Sequence, residues 1–302
     1  LSRGYPRRPT ATEPPATLEE LTMIREELLI EEEELQAGID DPNLKLFDAT
    51  VLLTPREGES GQSRYNDGHL PGAGFLDHAA ISREQASPMF MLPGEAELAA
   101  AIGNLGISND KDVVVYSTDS IMWATRVWWV LKYAGHSNVR VLNGGRAAWT
   151  GELVTTPHRY EATTFIPNLS PEMIADKKEV MAAINDGATC TLNALPYSFY
   201  TGEADVPYAR EGHITGSLSL SFEQMMDDHL VKPTEALVEE FSNYNRSGRV
   251  ITYCGGGIAA TLTATCARLA GFDDVAVYDG SMSEWLEGGL PTTAGTEPGQ
   301  LG

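Results

Sequence analysis

At 302 residues with 42% hydrophobic content, the chain can fill two ordinary domain cores, and no apolar run approaches the roughly 20 residues of a membrane span. Its 43 acidic residues against 21 basic ones give a net charge of -22, which argues against nucleic acid or an anionic membrane surface as the main partner. No apolar segment near Leu1 resembles a signal peptide, so a soluble, cytoplasmic protein is expected.

In chain order, residues 1–17 are rich in Pro, Thr and Arg and read as a disordered arm. Residues 17–37 read as one acidic helix whose Glu31-Glu32-Glu33-Glu34 run is a solvated face. A buried strand at 44–49, the turn Gly68-His69-Leu70-Pro71-Gly72-Ala73, a helix at 94–105 and a strand at 113–116 follow. An amphipathic helix through Trp123, Val127, Leu131 and Ala134, a strand at 139–142 and Trp149 complete the first half.

The second half repeats this order: a strand at 190–194, the turn Gly212-His213-Ile214-Thr215-Gly216-Ser217 and a helix at 236–244. A strand at 250–253, a helix at 258–270, a strand at 275–278 and Trp285 close it. His69 and His213 are 144 residues apart, Ser117 and Cys254 137, Trp149 and Trp285 136, so the period is that of a duplicated domain. Strands alternating with helices predict an α/β fold of two tandem domains, each a mainly parallel sheet with helices on both faces. The first domain is expected over 18–152, a linker over 153–168 with Pro157 and Pro167, and the second domain over 169–302.

The three cysteines, Cys190, Cys254 and Cys266, lack CxxC spacing, which fits a reducing compartment better than a disulfide framework or a zinc site. Cys190 reads as a small buried hydrophobe in a strand. Cys266 falls on an apolar helical stripe with Ile258, Leu262 and Leu269. Cys254 is different, because it opens a loop at the carboxyl end of a strand, the edge where open parallel sheets bind ligands. In Cys254-Gly255-Gly256-Gly257-Ile258-Ala259, three glycines give the backbone freedom to turn N–H groups towards one sulfur, and the following helix presents its positive end. Both effects favour thiolate over thiol, as a nucleophile or persulfide carrier requires. The matching loop of the first domain, Ser117-Thr118-Asp119-Ser120, has no identified base beside its serine and reads as catalytically silent.

With these residues in place, the chain resembles the tandem-domain rhodaneses, the thiosulfate and 3-mercaptopyruvate sulfurtransferases. The matches include Asp41-Pro42-Asn43-Leu44, Gly68 to Ala73, Ala86-Ser87-Pro88, Met91-Leu92-Pro93, Arg126-Val127-Trp128-Trp129 and Val141-Leu142-Asn143-Gly144-Gly145. In the second half they are Gly212-His213-Ile214, Tyr253-Cys254 and Tyr278-Asp279-Gly280-Ser281. The resemblance implies a persulfide on Cys254, a small sulfur donor, and a thiol or cyanide acceptor. It also places His69 like the family histidine that faces the active loop across the domain cleft, where it would move a proton. The repeat at His213 equally fits a turn-capping role.

The sequence departs from the family where a donor would be held. Gly255 and Gly256 stand where thiosulfate enzymes tend to carry basic residues and mercaptopyruvate enzymes carry Gly then Ser or Thr, and Ala259 replaces the usual Thr. Asn193, Leu195 and Phe199 replace a motif with two arginines, the side chains best suited to clamp a carboxylate or thiosulfonate. Arg210 and Arg126 remain as candidate anion contacts, although neither occupies the missing position and such arginines are more often surface or packing residues. A catalytically weak rhodanese-fold binding or regulatory module is the competing expectation. A cysteine phosphatase would need an Arg where Ala260 stands. No metal-ligand spacing, P-loop or dinucleotide fingerprint is present, so no cofactor is expected.

Overall fold

The computed structural model describes residues 16–301, apart from Ala86 and Ser247. The expected disordered arm therefore lies outside the described residues except for its end, where Thr17 caps a helix. Each half contains a five-stranded, all-parallel sheet. In the first half the strands lie in the order Leu29–Ile30, Val139–Leu142, Asp112–Tyr116, Leu44–Asp48, Gly74–Phe75. The second half has Ile174–Ala175, Val275–Tyr278, Val250–Tyr253, Cys190–Asn193 and Leu218–Ser219 in the same order.

The period of two along each strand explains why both sheet faces are covered. Val113 and Val115 point into the large central core, whereas Val114 and Tyr116 join an outer cluster with Leu35, Leu46 and Leu70. Val250 likewise belongs to the central core, and Ile251 and Tyr253 to an outer cluster around Trp285.

Two helices meet where the halves join: Ile121–Tyr133, which follows the first loop, and Ala259–Leu269, which follows the second. Both are buried almost all round, so the first, expected to be amphipathic, has no solvent face: the second domain covers the side a single domain would leave to water. Thr125 Oγ1 and Thr261 Oγ1, 136 positions apart in sequence, hydrogen-bond at 2.9 Å across the join.

The acidic segment 17–37 is not one helix. It divides into a helix Leu18–Leu28, the edge strand Leu29–Ile30 and a helix Glu32–Gly38. Leu29 and Ile30 are both buried, and pairing with Val141 and Leu142 completes the sheet at a site helical continuation would leave empty. The first helix also grips the second domain, since Arg25 donates to the carbonyls of Lys232 (2.9 Å) and Val231 (3.2 Å). In the glutamate run, Glu31 accepts from Asn143 Nδ2, Glu32 from Thr150, and Glu34 pairs with Arg140 at 2.6 Å.

Residues 153–168, expected as a linker, form a strap over the first domain. Tyr160 donates its hydroxyl to Gly72 at 2.8 Å, Thr163 N–H reaches Gly103 O at 2.8 Å, and Phe165 is buried in the core. The close approach requires glycine at Gly103, where a Cβ would lie 2.5 Å from Thr163 O. Among the described residues no helix is long and apolar enough to cross a membrane.

Candidate active site

Strand Val250–Tyr253 ends at Cys254, and helix Ala259–Leu269 starts five residues later. The intervening loop is wired with its carbonyls outward. Met282 N–H donates to Cys254 O at 3.0 Å, and Ser283 donates to Gly255 O through its N–H (3.0 Å) and hydroxyl (2.7 Å). Arg126 donates to Gly257 O at 3.3 Å, and Thr261 donates to Ile258 O at 2.7 Å through its hydroxyl. Among the described residues, none of the amides from Gly255 to Ile258 has a protein acceptor. Gly257 and Ile258 are buried and Gly255 and Gly256 half-buried; buried N–H groups are rarely left so, and this turn has donors to offer an anion.

Of the three glycines, only Gly257 uses the left-handed region, at φ +75°, and a Cβ there would sit 2.6 Å from Asp279 O. Gly256 has nothing within 4 Å of a built Cβ and an ordinary φ. The expected freedom of three glycines is therefore used at Gly257 rather than at Gly256.

Cys254 is buried, and its N–H donates to Ser281 Oγ at 3.1 Å, while that hydroxyl donates to Tyr278 O at 2.9 Å. Ser281 itself sits at φ +49°, a conformation costly for a non-glycine residue. Ser281 was visible in sequence only as part of a motif, without a role. The other two cysteines are set apart by their surroundings: burial pushes the thiols of Cys190 and Cys266 up to about 12.

Arg126 and Arg210 have different fates. Arg126 is buried, and its guanidinium donates to Asp279 Oδ1 at 2.7 Å, to Gly257 O and to Phe90 O. It touches the backbone of the Cys254 loop. Arg210 is exposed, pairs with Asp205 at 3.3 Å, and has no contact with the loop.

His69 is not brought to Cys254 by any contact. Both ring nitrogens lie against carbonyls of its own half, Tyr65 O (2.8 Å) and Thr156 O (3.1 Å), and the ring stacks on Tyr65 at 3.8 Å. His213 repeats the stacking and one carbonyl contact, with Tyr200 O at 2.8 Å from Nδ1 and the Tyr200 ring at 3.6 Å. Strand-end tyrosines fix each turn, as Tyr116 accepts Leu70 N–H and Tyr253 accepts Ile214 N–H. The same histidine–tyrosine contact thus recurs in both halves. Leu195 and Phe199 are half-buried, Leu195 packing against the central core and Phe199 within the short helix Tyr197–Thr201.

Sequence reasoning missed His78. It is fully enclosed against Trp123 and Phe90 at ring distances of 5.0 and 6.2 Å, and donates Nε2–H to Ala49 O at 3.1 Å. Burial pushes its pKa down to about 3, with Arg126 adding in the same direction. An unfolded histidine takes a proton near pH 6.5 and the folded one does not, so this contribution is whole above 6.5 and is lost as pH falls towards 3. The slope is about 1.4 kcal/mol per pH unit, or roughly 2 kcal/mol lost by pH 5. Urea unfolding of wild type and His78→Phe at pH 7.5, 6 and 5 checks this: the stability difference between them should shrink by that amount on acidification.

Beside the first loop lies a cavity of about 420 Å³ lined by Ser117, Thr118, Asp119, Glu223, Asp228 and His229, without a cysteine. Among the described residues no group of three or more His, Cys, Asp or Glu could hold a metal ion.

A duplicated parallel α/β domain with one cysteine-led loop at a sheet edge defines a two-domain protein of the cysteine-loop type. The model of the rhodanese-like domain matches residues 31–152 and again 178–288, and the chain belongs to the rhodanese family. It is 34% identical to thiosulfate sulfurtransferase of Rattus norvegicus over 273 residues, covering 86% of this chain and 91% of that one. It is 29% identical to 3-mercaptopyruvate sulfurtransferase of Escherichia coli K12 over 260 residues, covering 83% and 92%. The crystal structure of SseA from Escherichia coli, described as a 3-mercaptopyruvate sulfotransferase with a rhodanese fold, superposes with a TM-score of 0.77 at 27% identity. That match covers 84% of this chain and 98% of SseA.

Proposed function

We propose that the protein transfers sulfane sulfur from a small donor to a thiol or cyanide acceptor through a persulfide on Cys254. The observation that carries this reading is the run of unpaired amides from Gly255 to Ile258 beside the only cysteine that opens a loop. The Cys254 thiolate attacks the outer sulfur of the donor, an S–S bond forms, and the donor bond breaks with its electron pair leaving on sulfite or on the pyruvate enolate, which then takes a proton. The persulfide's outer sulfur, negatively charged, rests against the free N–H groups and the start of helix Ala259–Leu269. An acceptor thiolate or cyanide then attacks that sulfur and returns Cys254 as thiolate, with no net oxidant or reductant consumed.

Support for the class of reaction comes from the sulfurtransferase relatives at about 30% identity. The donor preference is argued from this chain's own residues. Arg126 is committed to Asp279, Arg210 lies in a surface pair, and Leu195 and Phe199 stand at the expected clamp positions, so an anionic donor meets amides and no arginine fork. This same feature favours the second reading, a weakly catalytic binding module. Steady-state assays with thiosulfate or 3-mercaptopyruvate as donor and cyanide as acceptor, read as thiocyanate, separate the two. Turnover lost in a Cys254 variant supports transfer, and none above background with either donor opposes it. Phe199→Arg is expected to lower the KM for thiosulfate by roughly tenfold or more, the worth of one charge-assisted hydrogen bond.

A further inference from the structure

The two halves make the same docking contact, but only one makes it with charge. In the first half Asn143 Oδ1 accepts Val231 N–H from the second domain at 2.9 Å. At the equivalent place Asp279 Oδ2 accepts Leu92 N–H from the first domain at 2.8 Å. Asn143 and Asp279 are 136 positions apart, the offset that also relates Thr125 to Thr261 and Trp149 to Trp285. The same offset takes Arg126 to Leu262, which lines the cavity beside the silent Ser117 loop. Docking therefore needs neither the carboxylate nor the guanidinium, because Asn143 and Leu262 manage it without them. The Arg126 and Asp279 pair occurs only where a cysteine loop has to be held.

Its contacts fit that purpose. The buried guanidinium joins Asp279 Oδ1, Gly257 O and Phe90 O, and so ties the loop glycine of positive φ to both domains. Gly257 is also pressed against Asp279 O, so moving one moves the other. A planar fork with several fixed donors can bridge three acceptors at once, which an ammonium cannot do in the same geometry. Asp279, two residues before Ser281, connects this grip to the hydroxyl that holds Cys254 N–H.

We propose that Arg126 and Asp279 are positioning residues, a clamp through which the first domain holds the Cys254 loop in its sulfur-accepting shape. The role in turnover rests on the sulfur-transfer reading above, whereas the role in loop shape does not.

The test is the double variant Arg126→Leu/Asp279→Asn, which gives the Cys254 side of the join the neutral residues that Leu262 and Asn143 supply at the Ser117 side and leaves no buried charge unpaired. Native-state hydrogen exchange is read at Met282 and Ser283, whose amides bond the carbonyls of Cys254 and Gly255, and steady-state kinetics are read in parallel. The expected result is a folded protein in which these two amides exchange at least tenfold faster, amides within helix Ile121–Tyr133 keep their protection, and kcat falls at least tenfold with donor KM within about threefold. A merely structural pair would raise exchange across the whole join or nowhere. A folded double variant with wild-type exchange at Met282 and Ser283 overturns the clamp. If the wild type takes sulfur from no donor, the sulfur-transfer reading fails, and the exchange rates still decide the clamp.

Discussion

Replacing Cys254 with serine is expected to lower sulfur transfer at least about 1,000-fold, the scale seen when a covalent nucleophile is removed. A serine hydroxyl beside the same amides is a far weaker nucleophile towards sulfur and cannot hold a persulfide. Stability should change little, because the side chains differ by one atom and the Ser281 contact uses the main-chain N–H of residue 254. Cys190→Ser and Cys266→Ser provide the control. Both thiols are suppressed by burial, so neither substitution should reduce turnover more than about twofold in protein that remains folded. Initial rates of thiocyanate formation for the three variants check the assignment.

The second large effect is expected at Gly257. Alanine there must adopt φ near +75° and place its Cβ 2.6 Å from Asp279 O. Left-handed backbone and overpacking together should cost about 3 kcal/mol. Because Gly257 O and Asp279 share the Arg126 guanidinium, the loop should yield before the fold does, with turnover falling at least about 100-fold. Gly256→Ala meets nothing within 4 Å and should stay within about 0.5 kcal/mol of wild type. Chemical denaturation with turnover measured on the same samples distinguishes the two glycines, which composition alone makes equivalent.

Much of the fold is legible in the sequence because its signals are local and repeated. The valine runs at 113–115 and the offset of 136 residues between Trp149 and Trp285 foretell two parallel sheets, and these are present. The strand Leu29–Ile30 is not legible, since two residues cannot establish a period of two and acidic helical sequence flanks them. Its identity depends on the empty sheet edge beside Val139–Leu142, a tertiary cause.

At the site, the Cys254 loop can be read because glycines after a strand-end cysteine are a local pattern. Arg126 and Asp279 are separated by 153 positions and two domains, so their pairing leaves no local trace. A signal did exist in the duplication. Setting Arg126 against Leu262 and Asp279 against Asn143 shows two charges, one from each half, that come together only at the Cys254 loop. Comparison of the halves likewise explains His69. Its twin at His213 likewise stacks on a tyrosine and contacts that tyrosine's carbonyl, so the arrangement belongs to the duplicated turn and not to the cysteine loop alone. His78 has no such pattern, and its enclosure arises from Trp123 and Phe90, which reach it only in the folded domain.

The central claim, a sulfur-carrying cysteine in a cradle of main-chain amides, is tested most directly by intact mass spectrometry after incubation with thiosulfate or 3-mercaptopyruvate and removal of excess donor. The wild type should gain the mass of one sulfur atom, fragmentation should place it on Cys254, and cyanide should remove it. Absence of that sulfur with both donors while the Cys254 thiol remains free, or its location on Cys190 or Cys266, would contradict the account.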